Sequence, residues 1–210
     1  MSSDLVFYTN PQSRGRIVRW MLEEIEAPYH TEVLDYGTSM KSPEFLAINP
    51  MGKVPAVTHN GNVITECAAI CAYLAEAFPA AGLAPADDAE RAAYFRWLFF
   101  TAGPLEAAIT NRSVFGEEPP AEKKRMLGYG CYADAIDMLS FAVKANPYIA
   151  GTRFTAADVY VGAQIGWGLQ FGTIEKRDEF SAYFERVSGR EAFIRANALD
   201  DALVRETTEA

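Results

Sequence analysis

The sequence predicts an α/β unit followed by an all-helical one, and three observations carry that expectation. Over residues 1–80, short apolar runs of strand type alternate with amphipathic segments of helical spacing. A stretch dense in proline, alanine and glycine, 78–85, then punctuates the chain. Beyond it the strand signal fades and helical patterns dominate. At 210 residues, half of them hydrophobic, the chain is long enough for one domain or two small ones with a real core.

The elements follow in order. Leu5-Val6-Phe7-Tyr8 reads as a strand, ended by Thr9-Asn10-Pro11. Ser13 leads into RGRIVRWMLEEIEA, where Ile17, Met21, Leu22 and Ile25 recur at the spacing of one helix face. After Ala27-Pro28 a second strand is predicted over 29–34, completing βαβ, and Ser42-Pro43-Glu44 opens a short helix before the Asn49-Pro50 turn. Val54-Pro55-Ala56-Val57 is extended, Asn60-Gly61 is a two-residue hairpin signal, and Val63-Ile64-Thr65 forms the returning strand. A helix through Leu74 follows at once. The expected organisation is a first domain at 1–80, a linker at 81–88 and a helical domain at 89–210. In the latter, 90–109 is helical and disturbed at Gly103-Pro104, while Pro119-Pro120 starts a helix running to Ala145. Thr155, with Asp158 three residues on and a Phe154–Val159 staple, marks a structural helix start.

Composition excludes several classes of function. A net charge of −9 with scattered Lys and Arg leaves no basic patch for phosphates, which argues against nucleic acid and against anionic membranes as partners. MSSDLVFY offers neither a secretory signal nor a transmembrane helix, so a cytoplasmic location is expected. Cys67, Cys71 and Cys131 form no CxxC, and with only His30 and His59 available no metal site is expected. Cys67 and Cys71, one turn apart, suit a buried helix face. His59 is expected in an exposed loop and His30 on the second strand.

The chemistry concentrates between Ala47 and Leu74. Pro55 lacks an N–H and keeps Val54 out of the helical region, so the Val54 backbone is presented at a sheet edge that can receive an extended, peptide-like ligand. Glu66 and Cys67 stand where the next helix begins, and free N–H groups there favour an anionic guest.

NPMGKVPAV followed by ITECAAI resembles the glutathione-binding half of the cytosolic, bacterial-type glutathione transferases. YIAGTRFTAADV and FSAYFERVSGREAFIRANALDDA resemble the same family's helical domain, so the likeness spans nearly the whole chain. The resemblance implies a thioredoxin-like N-terminal domain plus an all-α C-terminal domain, acting as a homodimer with glutathione as co-substrate and no metal. It implies a cis Pro55, with Val54 pairing its backbone with the cysteinyl part of glutathione. It also implies Glu66 at the γ-glutamyl end and Lys53 at the glycyl end. Cys67 stands where a serine is usual; a thiol is a weak donor, so the contact there falls to the Cys67 backbone N–H.

Glutathione supplies the nucleophile, and the enzyme must ionise it at neutral pH. Lowering a thiol pKa of about 8.5 by roughly two units needs about 2.7 kcal/mol of preferential thiolate stabilisation. A hydrogen bond to a charged group supplies roughly 1.5–3 kcal/mol, so one hydroxyl helped by the first helix's dipole is about enough. Ser13 is the leading candidate, by likeness to serine-type members; an ordinary N-cap is its other reading. Asn10 and Thr9 come next and Tyr8 last. Arg14 and Arg16 reach toward a glutathione carboxylate or are simply solvated. By the same resemblance a second-substrate pocket would draw on Tyr94, Trp97, Thr101, Trp167 and Phe171, residues whose helical spacing equally suits a core. The function implied is conjugation of the glutathione thiolate to small hydrophobic electrophiles. The alternatives are glutathione-dependent disulfide reduction, isomerisation or dehalogenation, or a non-catalytic binding or regulatory module on the same fold.

Overall fold

The computed structural model describes residues 4–116 and 118–209. The chain runs β1 (Leu5–Thr9), α1 (Gly15–Ile25), β2 (His30–Val33), α2 (Pro43–Ile48), β3 (Ala56–His59), β4 (Asn62–Thr65), α3 (Cys67–Ala77), α4 (Asp88–Phe100), α5 (Glu106–Phe115), α6 (Tyr132–Ala145), α7 (Ala156–Phe171), α8 (Asp178–Ser188) and α9 (Glu191–Glu209). These elements form two units: one takes the chain up to Ala84 together with the segment from Gly189, the other spans Pro85–Ser188. The last helix therefore groups with the α/β unit, whereas the sequence expectation kept 89–210 together.

In the first unit the strand order is β2-β1-β3-β4, with β1 and β2 parallel and β3 antiparallel to both of its neighbours. The βαβ and ββα expectations thus meet in one sheet. Alternation along β1 buries Leu5 and Phe7, which join Val57 of β3, Ile17, Met21 and Leu22 of α1, and Ile70, Cys71 and Leu74 of α3 in the core. Burial raises the Cys71 thiol well above its ordinary value, which makes it an inert apolar core residue.

Why α9 belongs here is visible in its partners. Arg19 of α1 donates through Nε to Asp200 of α9 at 3.1 Å, both side chains buried. Arg19 also donates to the Tyr29 hydroxyl at 3.1 Å and Thr31 Oγ1 at 2.9 Å, with its guanidinium over the Phe7 ring. Burial pushes the Asp200 carboxyl above the usual range even with Arg19 beside it. Arg190 adds a two-pronged contact to Glu24 at 2.6 and 2.7 Å, and Phe193 packs edge-on against Trp20 at 4.8 Å between centroids.

The second unit is helical. The disturbance expected at Gly103-Pro104 takes the form of a wide turn, Thr101–Leu105, between α4 and α5. Pro104 has no N–H to donate, and widening the turn accommodates its ring. The helix expected from Pro119-Pro120 to Ala145 is interrupted: a tight 3₁₀ segment, Ala121–Met126, comes first, and Gly130 at φ 67° breaks the chain before α6. Cys131 and Asp134 then form a capping box that starts α6. The start of α7 is as expected, since the Thr155 N–H donates to Asp158 Oδ2 at 2.8 Å. Asp158 Oδ1 also accepts from the Ile149 N–H and the Tyr183 hydroxyl, each at 2.7 Å.

Candidate functional site

Strand register brings three loops to one end of the sheet. Tyr8 of β1 pairs with Ala56 of β3, and Ala56 pairs with Thr65 of β4. One step further along both ladders sets Thr9 beside Pro55 and Pro55 beside Glu66. The end of β1, the entry to β3 and the exit from β4 thus meet where α1 and α3 begin. Both helices run 11 residues and turn the positive end of their dipole to that end of the sheet. A contact ties the two starts together: the Cys67 thiol donates to the Arg14 carbonyl at 3.7 Å.

The first loop is held closely. Asn10 is nearly buried; its Nδ2 donates to the Leu34 carbonyl at 2.8 Å and its Oδ1 accepts from the Gln12 N–H at 2.9 Å. Ser13 is half-buried. Its hydroxyl accepts from the Gly15 N–H at 2.9 Å and donates to the Asn10 carbonyl at 2.7 Å. The helix-cap role weighed for Ser13 is therefore present in part, and the accepted N–H polarises the hydroxyl for donation. Gly15 makes the packing feasible, because a Cβ there would stand 1.9 Å from Thr9 Oγ1. Thr9 is fully buried and Tyr8 stacks on Phe45 at 5.7 Å in an apolar cluster. Arg14 is exposed. Arg16 is committed elsewhere: its Nε donates to the Pro11 carbonyl at 2.6 Å and its Nη2 to Asp201 at 2.7 Å.

The second loop presents Val54. The Val54–Pro55 peptide is cis, and among the described residues the Val54 N–H and C=O take no part in the turn and loop hydrogen bonds. Its side chain packs on Met40, Phe45 and Ala56. Asn49 braces the loop, donating from Nδ2 to the Lys53 carbonyl at 2.7 Å and accepting the Met51 N–H at 3.1 Å. Lys41 Nζ donates to the Gly52 carbonyl at 2.9 Å, and Gly52 sits at φ 58° with no room for a Cβ beside the Met40 carbonyl. These braces escaped the sequence reading, which took Asn49 only as a turn residue. The signal was there, since an Asn that opens a turn habitually binds the backbone two residues on. The Lys53 side chain is exposed at the rim.

In the third loop Glu66 is exposed and adopts φ 66°, a conformation that costs a non-glycine residue of order 1–3 kcal/mol and clusters at ligand-binding sites. Cys67, the first helical residue of α3, is buried. The expectation of an exposed, loop-borne His59 is corrected. His59 closes β3, is 8% exposed, hydrogen-bonds the Tyr73 hydroxyl through Nδ1 at 2.9 Å and lies against Phe78. The alternation that buries Val57 carries His59 to the same face. His30 is on β2 as expected and pairs with Glu32 at 2.9 Å.

In the second unit, Tyr94 and Trp97 of α4 and Thr101 of the wide turn are buried, Trp167 is half-buried and Phe171 is exposed. The Thr101 hydroxyl has no hydrogen-bond partner among the described residues. Among those residues no group of three or more His, Cys, Asp and Glu is arranged to hold a metal ion, and no helix is long and apolar enough to cross a membrane.

Comparison with known proteins bears on this geometry. Residues 13–77 match the family pattern described as "Glutathione S-transferase, N-terminal domain". Glutathione S-transferase GstA of Escherichia coli O157:H7 is 29% identical over 150 residues, covering 70% of this chain and 73% of that one. Glutathione S-transferase GST-4.5 of Xanthomonas campestris pv. campestris is 27% identical over 180 residues, covering 81% and 84%. Among solved structures, a glutathione transferase from Methylococcus capsulatus is 28% identical with a TM-score of 0.75, over 94% of this chain and 99% of that one. A sphingomonad glutathione S-transferase complexed with glutathione is 26% identical with a TM-score of 0.75, over 93% and 98%. With a thioredoxin-like first unit and a helical second unit, residues 13–77 of the chain carry the pattern of a glutathione S-transferase N-terminal domain, and the chain is similar over most of its length to glutathione S-transferases.

Proposed function

We propose that the protein is a glutathione transferase that conjugates the glutathione thiolate to small hydrophobic electrophiles. The observation that carries the reading is the convergence of the free Val54 backbone, the two helix starts and the Ser13 hydroxyl at one end of one sheet. The Val54 N–H and C=O pair with the cysteinyl residue as one rung of a ladder, beside Pro55. The γ-glutamyl carboxylate meets the positive end of the α3 dipole at Cys67, and its ammonium meets Glu66. Lys53 faces the glycyl carboxylate. Ser13 turns its proton from the Asn10 carbonyl to the sulfur, and Asn10 keeps a partner in the Ser13 N–H at 3.0 Å. Tyr94, Trp97, Thr101 and Trp167 supply the side chains for the second substrate.

The same reading takes the enzyme to be a cytoplasmic homodimer active in detoxification. In support of pairing with a second copy, Phe95 and Phe99 of α4 and Met138 and Phe141 of α6 are exposed, with the Phe95 and Phe99 rings 6.5 Å apart. One observation favours a non-catalytic binding module: the Ser13 hydroxyl already spends its proton on Asn10.

The test is calorimetric titration with glutathione, alongside turnover of an activated aryl halide. A transferase binds glutathione and forms the thioether with loss of halide. Binding without turnover across a panel of aryl halides, epoxides and enals would leave the binding module as the better reading; no binding would reject the site.

A further inference from the structure

Arg16 reaches in two directions from the first turn of α1. Its Nε donates to the carbonyl of Pro11, inside the loop that carries Asn10 and Ser13, at 2.6 Å. Its Nη2 donates to Asp201 at 2.7 Å and its Nη1 to Asn197 Oδ1 at 3.4 Å, both on α9. One guanidinium thus spans the loop that must aim a hydroxyl and a helix some 180 residues further along the chain. The contact is placed for consequence. Pro11 has no N–H, so its carbonyl is the only backbone group it offers for fixing the loop, and Arg16 takes it with a charged donor. Ser13 lies two residues on, and its hydroxyl must swing between the Asn10 carbonyl and an incoming sulfur while its oxygen stays on the Gly15 N–H.

We propose that Arg16 is a positioning residue that couples α9 to the thiol-activating loop, with Asp201 and Asn197 holding the guanidinium in the rotamer that grips Pro11. The inference rests on the glutathione transferase reading above. The Arg16–Asp201 pair is partly exposed, at 23% and 54%, so its share of overall stability is small and its value lies in geometry. Lysine at this position keeps the charge but is a single point donor that cannot serve the loop and α9 together.

The experiment compares the wild type with Arg16→Ala, Arg16→Lys and Asp201→Asn. Each is followed by the absorbance of bound thiolate against pH, the glutathione Kd, and kcat and KM with an activated aryl halide. The expected result is a bound-thiol pKa higher by about half a unit or more in Arg16→Ala, with kcat down ~10-fold and the glutathione Kd within about threefold. Arg16→Lys does not restore the wild-type titration, and Asp201→Asn shifts the same way by less. Should Arg16→Ala fail to fold, Arg16→Lys and Asp201→Asn carry the test alone. An unshifted titration in the soluble variants, with or without a lower Tm, would make Arg16 merely structural. A large loss of glutathione affinity at unchanged kcat would make it a direct ligand contact. A wild type that binds no glutathione would instead overturn the functional reading on which the inference stands.

Discussion

Ser13 does three things with one oxygen, and its neighbours decide which of them prevails. It accepts from Gly15, donates to Asn10, and stands beside the start of an 11-residue helix whose dipole favours a nearby anion. Gly15 is as constrained as Ser13. A methyl group there collides with Thr9 Oγ1 at 1.9 Å, and Thr9 is fully buried with nowhere to retreat. Gly15→Ala is therefore expected to cost about 1–3 kcal/mol by overpacking, read as a lower midpoint in urea, and to weaken glutathione activation by displacing the Ser13 loop. An unchanged midpoint would show that the loop is looser than its contacts indicate. At this scale the sequence was legible where chemistry leaves a type signature. Val54-Pro55 announced a sheet edge, and Ser13 before an amphipathic run announced a helix start. It was illegible where a side chain's use depends on remote partners. His59 looked like a hairpin residue, yet Tyr73 and Phe78 from α3 and its exit enclose it. Arg16 looked free until Asp201 was placed beside it.

Among the elements, α7 shows how a local signature and a remote partner combine. Thr155 and Asp158 announce the helix start, but Asp158 is wholly buried and also serves Ile149 and Tyr183 from other segments. Burial raises its carboxyl above the ordinary range, against the lowering effect of the hydrogen bonds it accepts from Ile149, Tyr183 and Thr155. The folded state therefore holds the Asp158 proton more tightly than the unfolded chain. Its contribution to stability is full below the unfolded carboxylate value of about 3.9 and declines as pH rises through the folded value. The stability advantage of the wild type over Asp158→Asn should accordingly shrink across that window, measured by urea unfolding at a series of pH values. An advantage that grows instead would mean a depressed carboxyl and a dominant role for the accepted hydrogen bonds. Helix existence was readable from such caps, whereas the interruption before α6 was not. The segment after Pro120 stops at an extended Leu127, and Gly130 then takes a left-handed φ of 67° before α6, a break that no single residue type in 119–145 announces.

At the scale of the whole chain, the two-part organisation was legible in composition, and the return of α9 to the α/β unit was not. No local pattern links Arg19 to Asp200, 181 positions apart, although their buried pairing, with Arg190 on Glu24, docks the last helix against the first. That docking matters to function because α1 begins at the site. The sheet end, α1 and α9 form one continuous support for the loop to which the proposed function gives the task of ionising a thiol. The most direct test of that task is a titration of bound glutathione by thiolate absorbance in the wild type and in Ser13→Ala, with affinity measured in parallel. The expected wild-type thiol pKa is roughly two units below the free value of about 8.5, and in Ser13→Ala it returns by about one unit or more with affinity retained. A depressed pKa that the substitution leaves untouched would move activation to Asn10, Thr9 or Tyr8, and a bound thiol with the free pKa would contradict thiolate activation altogether.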